Sequence, residues 1–574
     1  MTEDISIVLV GAAGQGIETV ADFMARTLKL SGYCVFVTRE FMSRIRGGTN
    51  SLQLRVSGSP RGAFLRRTDI AVPLTKEGLP HLRKYSRIDD RTLVMGEEEV
   101  LEGENIAPDR VSVVPFTRMA EGIGGRIYSN TVAAGVVLTF FDVTVEVASE
   151  YLRDRFASKG EKVVDNNIEA FMAGREIGLG LVASGRVQIE IDTNMEVKGR
   201  LLMSGTDGVA LGAVAGGCNF ISSYPMSPST GVLVSLSRLA KEFGIVVDQV
   251  EDEIAAINKA IGAWYAGGRA MVTTSGGGFA LMTEGLSLAG MLESPVVIHV
   301  AQRPGPATGL PTRTEQADLQ LALYGGHGEF PRMIYVPGNP REAFLLTHRA
   351  FNMSAKHQVP TIILTDQFLV DSSFICPRIE LDGFEVEKHL VETEPDYRRY
   401  AFTENGVSPR GVPGYGEGLV GVDSDEHDEA GHITEDLTLR PRMVEKRLHK
   451  RMRLLREDSV PPTLHGGEDY RVLVVAWGSN YHVVREAIEG LGRRDVSMLH
   501  FRQVYPLSSL TREYLDRADV VAIVENNATC QFGKLIQIET GFMISEENRL
   551  LKYDGLPFPV EQVEAFLGGL GGGA

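Results

Sequence analysis

Three short stretches put polar groups where chemistry needs them. QVEDEIAAINKAIGAWYAGGRA gathers Glu251, Asp252 and Glu253 at the start of an apolar-periodic run that predicts a helix. A helix N-terminus favours negative charge, so capping accounts for at least two of the three. Glu253, Ala256, Ala260 and Ala263 fall on one stripe, small residues beneath a carboxylate. A flat ring can approach such a stripe, and a neighbouring helix can pack on it equally well. AQRPGPATGLPTRTEQADL carries Arg303 and Arg313 among turn residues. A loop arginine is the preferred fork for a carboxylate, and it is also an ordinary surface group. SSYPMSPST holds Ser227 between Pro225 and Pro228, two residues of fixed φ, where a strand gives way to a helix.

A fourth stretch, GAAGQG, spaces Gly11, Gly14 and Gly16 as G-x-x-G-x-G. That is not the G-x-G-x-x-G of dinucleotide folds. A glycine turn feeding a helix N-terminus still suits an anion such as a phosphate, and plain turn geometry explains it too. The nearby run TREFMSRIRGGTN adds Arg39, Arg44 and Arg46, which read either as anion contacts or as a solvated loop.

The elements that position these groups follow from periodicity. ISIVLVG, the glycine turn, IETVADFMARTLKLSG and YCVFVTRE form a β–turn–α–β opening, so a parallel sheet is expected. We divide the chain into 1–190, an α/β unit; 191–380, a second α/β unit entered through the polar stretch QIEIDTNMEVKGR; 381–465, a charged Gly- and Pro-rich connector; and 466–574, a third α/β unit. The connector ends in a basic helix, RPRMVEKRLHKRMRLLRE, with Met443, Leu448, Met452 and Leu455 near one stripe.

With 574 residues, 43% of them hydrophobic, and 63 glycines, the chain suits several large α/β domains. A net charge of −17 argues against a nucleic-acid binder, whose affinity comes from neutralising phosphates. No apolar run reaches the roughly 18 residues of a membrane span. MTEDISIVLVG has an acidic start and no basic n-region, so no secretory signal is read. Cys34, Cys218, Cys376 and Cys530 are scattered without a CxxC, which argues against a disulfide framework or a self-contained iron–sulfur cluster and reads as buried thiols of a cytoplasmic protein.

The order YPMSPST, VEDEIAAINKAIGAWYAGGRAMVTTSGGGFALMTEG, QRPGPATGLPTRTEQADL, GVSPRGVPG, DEHDEAGHITED, RMVEKRLHKR, VENNATCQFGKL and YDGLPFPVEQV resembles the alpha subunit of the 2-oxoacid:ferredoxin oxidoreductases. GAAGQGIETVA and SRIRGGTNSLQLRVS resemble the gamma subunit of the same enzymes, so the chain is similar to their fused gamma–alpha form. The resemblance implies three α/β domains with mainly parallel sheets: gamma-type, thiamine pyrimidine-binding-type and transketolase C-terminal-like. It implies thiamine diphosphate, coenzyme A, and conversion of a 2-oxoacid to CO2, an acyl-CoA and reduced ferredoxin, or the reverse carboxylation. Glu253 takes the family's role of contacting the aminopyrimidine, with Tyr224 and Pro225 beside the cofactor. Ser227 stands where relatives carry the threonine of Tyr-Pro-Ile-Thr-Pro, facing the substrate. Arg313 is the preferred partner of the substrate carboxylate and Arg303 the second choice. Gly14, Gln15, Gly16, Arg44 and Arg46 are the coenzyme A candidates. The chain lacks the metal–diphosphate motif, so Mg and a [4Fe-4S] cluster are expected on a separate beta subunit, in a dimer of alpha–beta heterodimers. 2-Oxoglutarate is the favoured substrate, with pyruvate or a branched-chain oxoacid as alternatives.

Two other classes remain at this level. A nucleotide-dependent dehydrogenase is suggested by the first β–turn–α unit and disfavoured by its glycine spacing. A non-catalytic binding subunit is separated from an enzyme by co-purification with a cysteine-rich partner.

Overall fold

The computed structural model describes residues 4–12, 14–42 and 48–571. The chain forms two compact units. The first runs up to Met203 and takes in Ser372–Arg378 and Pro559–Glu561; the second holds Ser204–Asp371, Ile379–Phe558 and the residues from Gln562 onward. Cuts at 190, 380 and 465 and this two-way compactness are thus different divisions. The later stretches are welded to the second unit: strand Gln503–Tyr505 adds antiparallel to Met333–Tyr335, and the Asn480 amide donates to Gln316 Oε1 at 2.8 Å.

The first unit is built on an eight-stranded sheet in the order Val111–Val113, Leu93–Gly96, Ile70–Pro73, Asp4–Ala12, Thr49–Ser57, Cys34–Glu40, Ser373–Cys376, Leu201–Ser204. The opening strand, turn and helix form as expected: Asp4–Ala12, then Gly16 at φ 75°, then Ile17–Leu30. One expectation needs correcting. The sheet is not purely parallel, because Thr49–Ser57 pairs antiparallel with both Asp4–Ala12 and Cys34–Glu40 and lies between them. The apolar alternation of SLQLRV carries that strand, and its Leu52, Leu54 and Val56 are buried.

The second unit contains two sheets. Seven strands run in the order Gln503–Tyr505, Met333–Tyr335, Pro360–Asp366, Val296–Gln302, Ala270–Thr274, Phe220–Ser223, Val246–Gln249, all parallel except the edge strand Gln503–Tyr505. Val296–Gln302 is buried along its whole length, which explains its unbroken VVIHVA run. Because these strands are parallel, their C-terminal ends lie on one edge. The loops after Ser223, Gln249, Thr274 and Gln302 emerge there, where open α/β sheets place ligands. The other sheet orders Thr463–His465, Val496–Phe501, Val472–Trp477, Val520–Glu525 and Arg549–Leu551, parallel apart from Thr463–His465.

Residues 381–438 are largely irregular, and a helix follows as Leu439–Val444, a π turn at Glu445–Lys450, and Arg451–Glu457. Met443 and Leu455 are buried as the stripe predicts, but so are Lys446, Arg447 and Arg451. Lys446 and Arg451 turn inward because Glu293, fully buried, accepts Lys446 Nζ and Arg451 Nη2 at 2.6 Å each, while Arg447 donates to Glu426. The cysteines are buried and unpaired with one another. Among the described residues no helix is long and apolar enough to cross a membrane.

Candidate active site

Three loops at the C-terminal edge of the seven-stranded sheet, those after Gln249, Thr274 and Gln302, meet at a glycine turn, and the loop after Ser223 meets Arg303. After Val246–Gln249 the chain enters helix Glu253–Tyr265, and the three leading carboxylates separate by role. Asp252 is the cap, its side chain accepting the Ala255 amide at 2.8 Å. Glu251 is exposed. Glu253 is only 3% exposed, and its Oε1 has no hydrogen-bond partner. Burial pushes the Glu253 carboxyl above its usual range, with the neighbouring Asp252 charge adding to the rise. Ala256 and Ala260 beneath it are fully buried in the main hydrophobic core, so the small-residue stripe serves packing.

After Ala270–Thr274 the chain turns into Gly276–Leu281. A Cβ on Gly278 would lie 2.1 Å from Thr274 Oγ1 and 2.4 Å from Glu253 Oε1. A Cβ on Gly276 would lie 2.2 Å from Asp318 Oδ2. Two carboxylates therefore press on the same glycine turn, which only glycine accommodates. Asp318 Oδ2 and Ser275 Oγ are also buried without a partner. Burial raises the Asp318 carboxyl to about 6 although Arg303 pulls it down, and burial together with the Asp318 charge lifts Glu315 to about 7.

The loop after Val296–Gln302 delivers Arg303. It is 8% exposed, and its Nη1 donates to the Ser227 carbonyl at 2.6 Å. Arg303 and Ser227 thus meet, through the serine's backbone. The Ser227 side chain stands in an exposed stretch with Tyr224, while Pro225 is half-buried. Arg313 lies further along the same loop, half-buried, with Gly555 against its side chain: a Cβ on Gly555 would come 3.2 Å from Arg313 Cβ. The next residue, Thr314, donates its amide to the Gly555 carbonyl at 3.1 Å. The loop is then held by Gln316, whose side chain is bonded by Trp477, Asn480 and Asn526.

Of the residues the sequence pointed to, Arg303, the second choice, meets the Ser227 carbonyl, Glu253 lies against the glycine turn, and Arg313, the preferred arginine, lies against Gly555. The sequence missed Asp318, Glu315 and Gln316. Asp318 directly precedes helix Leu319–Tyr324 and reads as a cap, so its spacing gave no other signal.

In the first unit Gly14, Gln15 and Gly16 line a cavity of about 950 Å³, with Lys76, Arg126, Arg155 and Lys159 contributing positive charge and Glu97 and Glu99 negative charge. Arg44 and Arg46 lie outside the described residues.

Comparison with known proteins fits this division. Residues 211–446 match the family described as pyruvate flavodoxin/ferredoxin oxidoreductase, thiamine diphosphate-binding, and residues 6–177 match pyruvate ferredoxin/flavodoxin oxidoreductase. The alpha subunit of a 2-oxoacid:ferredoxin oxidoreductase from Sulfolobus sp is 30% identical, the match covering 98% of this chain and 96% of that protein. A 2-oxoglutarate synthase subunit KorA from Archaeoglobus fulgidus is 33% identical over 57% of this chain and 88% of its own. Among solved structures, a 2-oxoglutarate:ferredoxin oxidoreductase from Magnetococcus marinus with 2-oxoglutarate, coenzyme A and succinyl-CoA bound superposes with a TM-score of 0.90 at 29% identity, covering 99% of each chain.

Proposed function

The chain belongs to the alpha-subunit family of the 2-oxoacid:ferredoxin oxidoreductases, and we propose that it forms, with a separate beta subunit, a cytoplasmic enzyme converting 2-oxoglutarate and coenzyme A to succinyl-CoA and CO2 while reducing ferredoxin. The observation that carries this reading is Glu253: a buried carboxyl whose Oε1 lacks a partner, beside a glycine turn that a single Cβ would fill. These features fit the aminopyrimidine of thiamine diphosphate, a flat ring with a nitrogen that needs a proton donor.

Thiamine diphosphate, when bound, supplies the carbon nucleophile for the 2-oxo group and accepts the electron pair left when CO2 departs. Glu253 would hold the shared proton at Oε1 toward a ring nitrogen, and burial, which raises its pKa, favours the protonated form. Tyr224 and Pro225 belong to the same edge, beside the cofactor. Arg303 is the fork for the substrate carboxylate. Its support is burial and its contact with Ser227, whereas Arg313 keeps company with Gly555. Ser227 steadies the carboxylate end of the substrate.

Coenzyme A is assigned to the cavity at Gly14, Gln15 and Gly16, where a helix N-terminus and four cations suit a phosphate-bearing ligand. The diphosphate with its Mg, and the [4Fe-4S] cluster, belong to the beta subunit, in a dimer of alpha–beta heterodimers. 2-Oxoglutarate is preferred to pyruvate because the relatives named above include a 2-oxoglutarate synthase and a 2-oxoglutarate complex. The test is a panel of 2-oxoacids on the assembled complex with coenzyme A and a dye acceptor. Dye reduction that requires both coenzyme A and 2-oxoglutarate supports the assignment; selective turnover of pyruvate moves it to that substrate.

A further inference from the structure

The loop that carries Arg303 is clamped at its base. Gln302 is fully buried; its Oε1 accepts the Asp318 amide at 3.0 Å and its Nε2 donates to the Thr365 carbonyl at 3.1 Å. The clamp ties together the two ends of the loop, Arg303 and Asp318, and their charges interact. Asp318 stands where an aspartate ordinarily caps the following helix, yet its side chain makes no cap hydrogen bond. Its carboxylate lies over Gly276 instead, with Oδ2 buried and unpartnered. A fold gains nothing in stability from a buried carboxylate left half unpaired. The arrangement makes sense as a setting for the arginine next to it.

We propose that Asp318 is a positioning residue for decarboxylation, tempering the grip of Arg303 on the substrate carboxylate so that this group can leave. The inference rests on the assignment of Arg303 made above. In the step concerned the C1–C2 bond of the oxoacid breaks, its electron pair stays on C2 and passes to the bound cofactor, and CO2 departs uncharged. An arginine that holds the carboxylate at full strength stabilises the charged ground state and gives nothing to the neutral product. A nearby negative charge weakens that ground-state hold while leaving the fork in place.

The test is steady-state kinetics of the assembled complex with 2-oxoglutarate varied at saturating coenzyme A. Asp318→Asn is close to isosteric. The expected result is a fall of about threefold or more in KM together with a fall of about threefold or more in kcat, leaving kcat/KM little changed. A rise in KM, or a loss of kcat with KM unmoved, overturns the proposal. The wild-type enzyme provides a second reading that does not depend on the variant folding. As pH falls through about 6, protonation of Asp318 should lower KM. Glu315, lifted to about 7 by burial, Asp318 and Asp554, titrates in the same region. The difference between wild type and Asp318→Asn isolates the Asp318 contribution, and a KM that does not fall with pH contradicts it. Arg303→Lys separates the two levels of the argument. If it leaves oxoacid kinetics untouched, the arginine assignment itself is wrong; if it disrupts them while Asp318→Asn keeps KM and kcat, only the tempering role is wrong.

Discussion

Glu253 Oε1 lies where the side chain of any residue larger than glycine at position 278 would begin, 2.4 Å from the Cβ position. Thr274 Oγ1 crowds the same position, at 2.1 Å. Gly278→Ala must therefore displace the carboxyl group. We expect the assembled complex to lose about tenfold or more in kcat, with a loss of folding stability of about 1–3 kcal/mol from overpacking. Near-normal turnover by Gly278→Ala would show that the Glu253 carboxyl tolerates another position.

The two loop arginines are separable by kinetics. Arg303→Lys keeps the charge and loses the fork, so kcat/KM for the oxoacid should fall at least about tenfold, or about 1.4 kcal/mol. Arg313→Lys should be milder. The reverse ranking would return the carboxylate site to Arg313.

Ser227 offers a finer comparison. Ser227→Thr keeps the hydroxyl and adds a methyl in an exposed stretch, so its effect on KM should be small. Ser227→Ala should raise KM more than Ser227→Thr. Equal effects would mean that only the backbone carbonyl, through Arg303, matters at this position.

His299 sits within the strand that leads to Arg303, its ring nitrogens 2.7 Å from Thr273 Oγ1 and 2.8 Å from Thr365 Oγ1. Complete burial holds its pKa down at about 3. The unfolded chain binds that proton near pH 6.5 and the folded protein does not, so stability falls as pH drops from about 6.5 towards 3. One such group gives a slope of about 1.4 kcal/mol per pH unit within that window. Unfolding followed between pH 6 and 4 should be less acid-sensitive in His299→Gln than in wild type. An identical slope would mean that the buried ring is not the source.

The buried cluster of Glu293 with Lys446 and Arg451 ties the helical run 439–457 to the rest of the second unit. Its neighbours hold the Glu293 carboxyl far below the ordinary range despite complete burial. Glu293→Ala strands two buried cations, and breaking such a group typically costs about 3–5 kcal/mol. Limited proteolysis should then open residues 381–457 before the rest of the chain. Unchanged protection there would contradict the tie.

What the sequence disclosed follows the range of the interactions. Strands such as VVIHVA and helices such as IETVADFMARTLKL announce themselves through local periodicity, and Glu253 stands at a helix start that is visible locally. Pairing between distant strands does not. The insertion of Thr49–Ser57 between Asp4–Ala12 and Cys34–Glu40 depends on long-range register, which a β–turn–α–β pattern misreads. That Arg303 reaches the Ser227 carbonyl, 76 positions away in the chain, is equally invisible to local spacing. Asp318 reads locally as a cap and acquires its setting from Gly276 and Gln302, while the inward turn of Lys446 and Arg451 depends on Glu293, which no pattern around residue 446 reveals.

The central claim is that Glu253 is the proton partner of thiamine diphosphate in a two-subunit oxidoreductase. The direct measurement is coenzyme A-dependent dye reduction with 2-oxoglutarate by the complex of this chain and its beta subunit, comparing wild type with Glu253→Gln and Glu251→Gln at equal assembly. An amide cannot share the proton, so Glu253→Gln should lose about 100-fold or more in kcat, while Glu251→Gln, at an exposed position, stays near wild type. A Glu253→Gln complex that retains wild-type turnover, or a loss that follows Glu251 instead, would contradict the account.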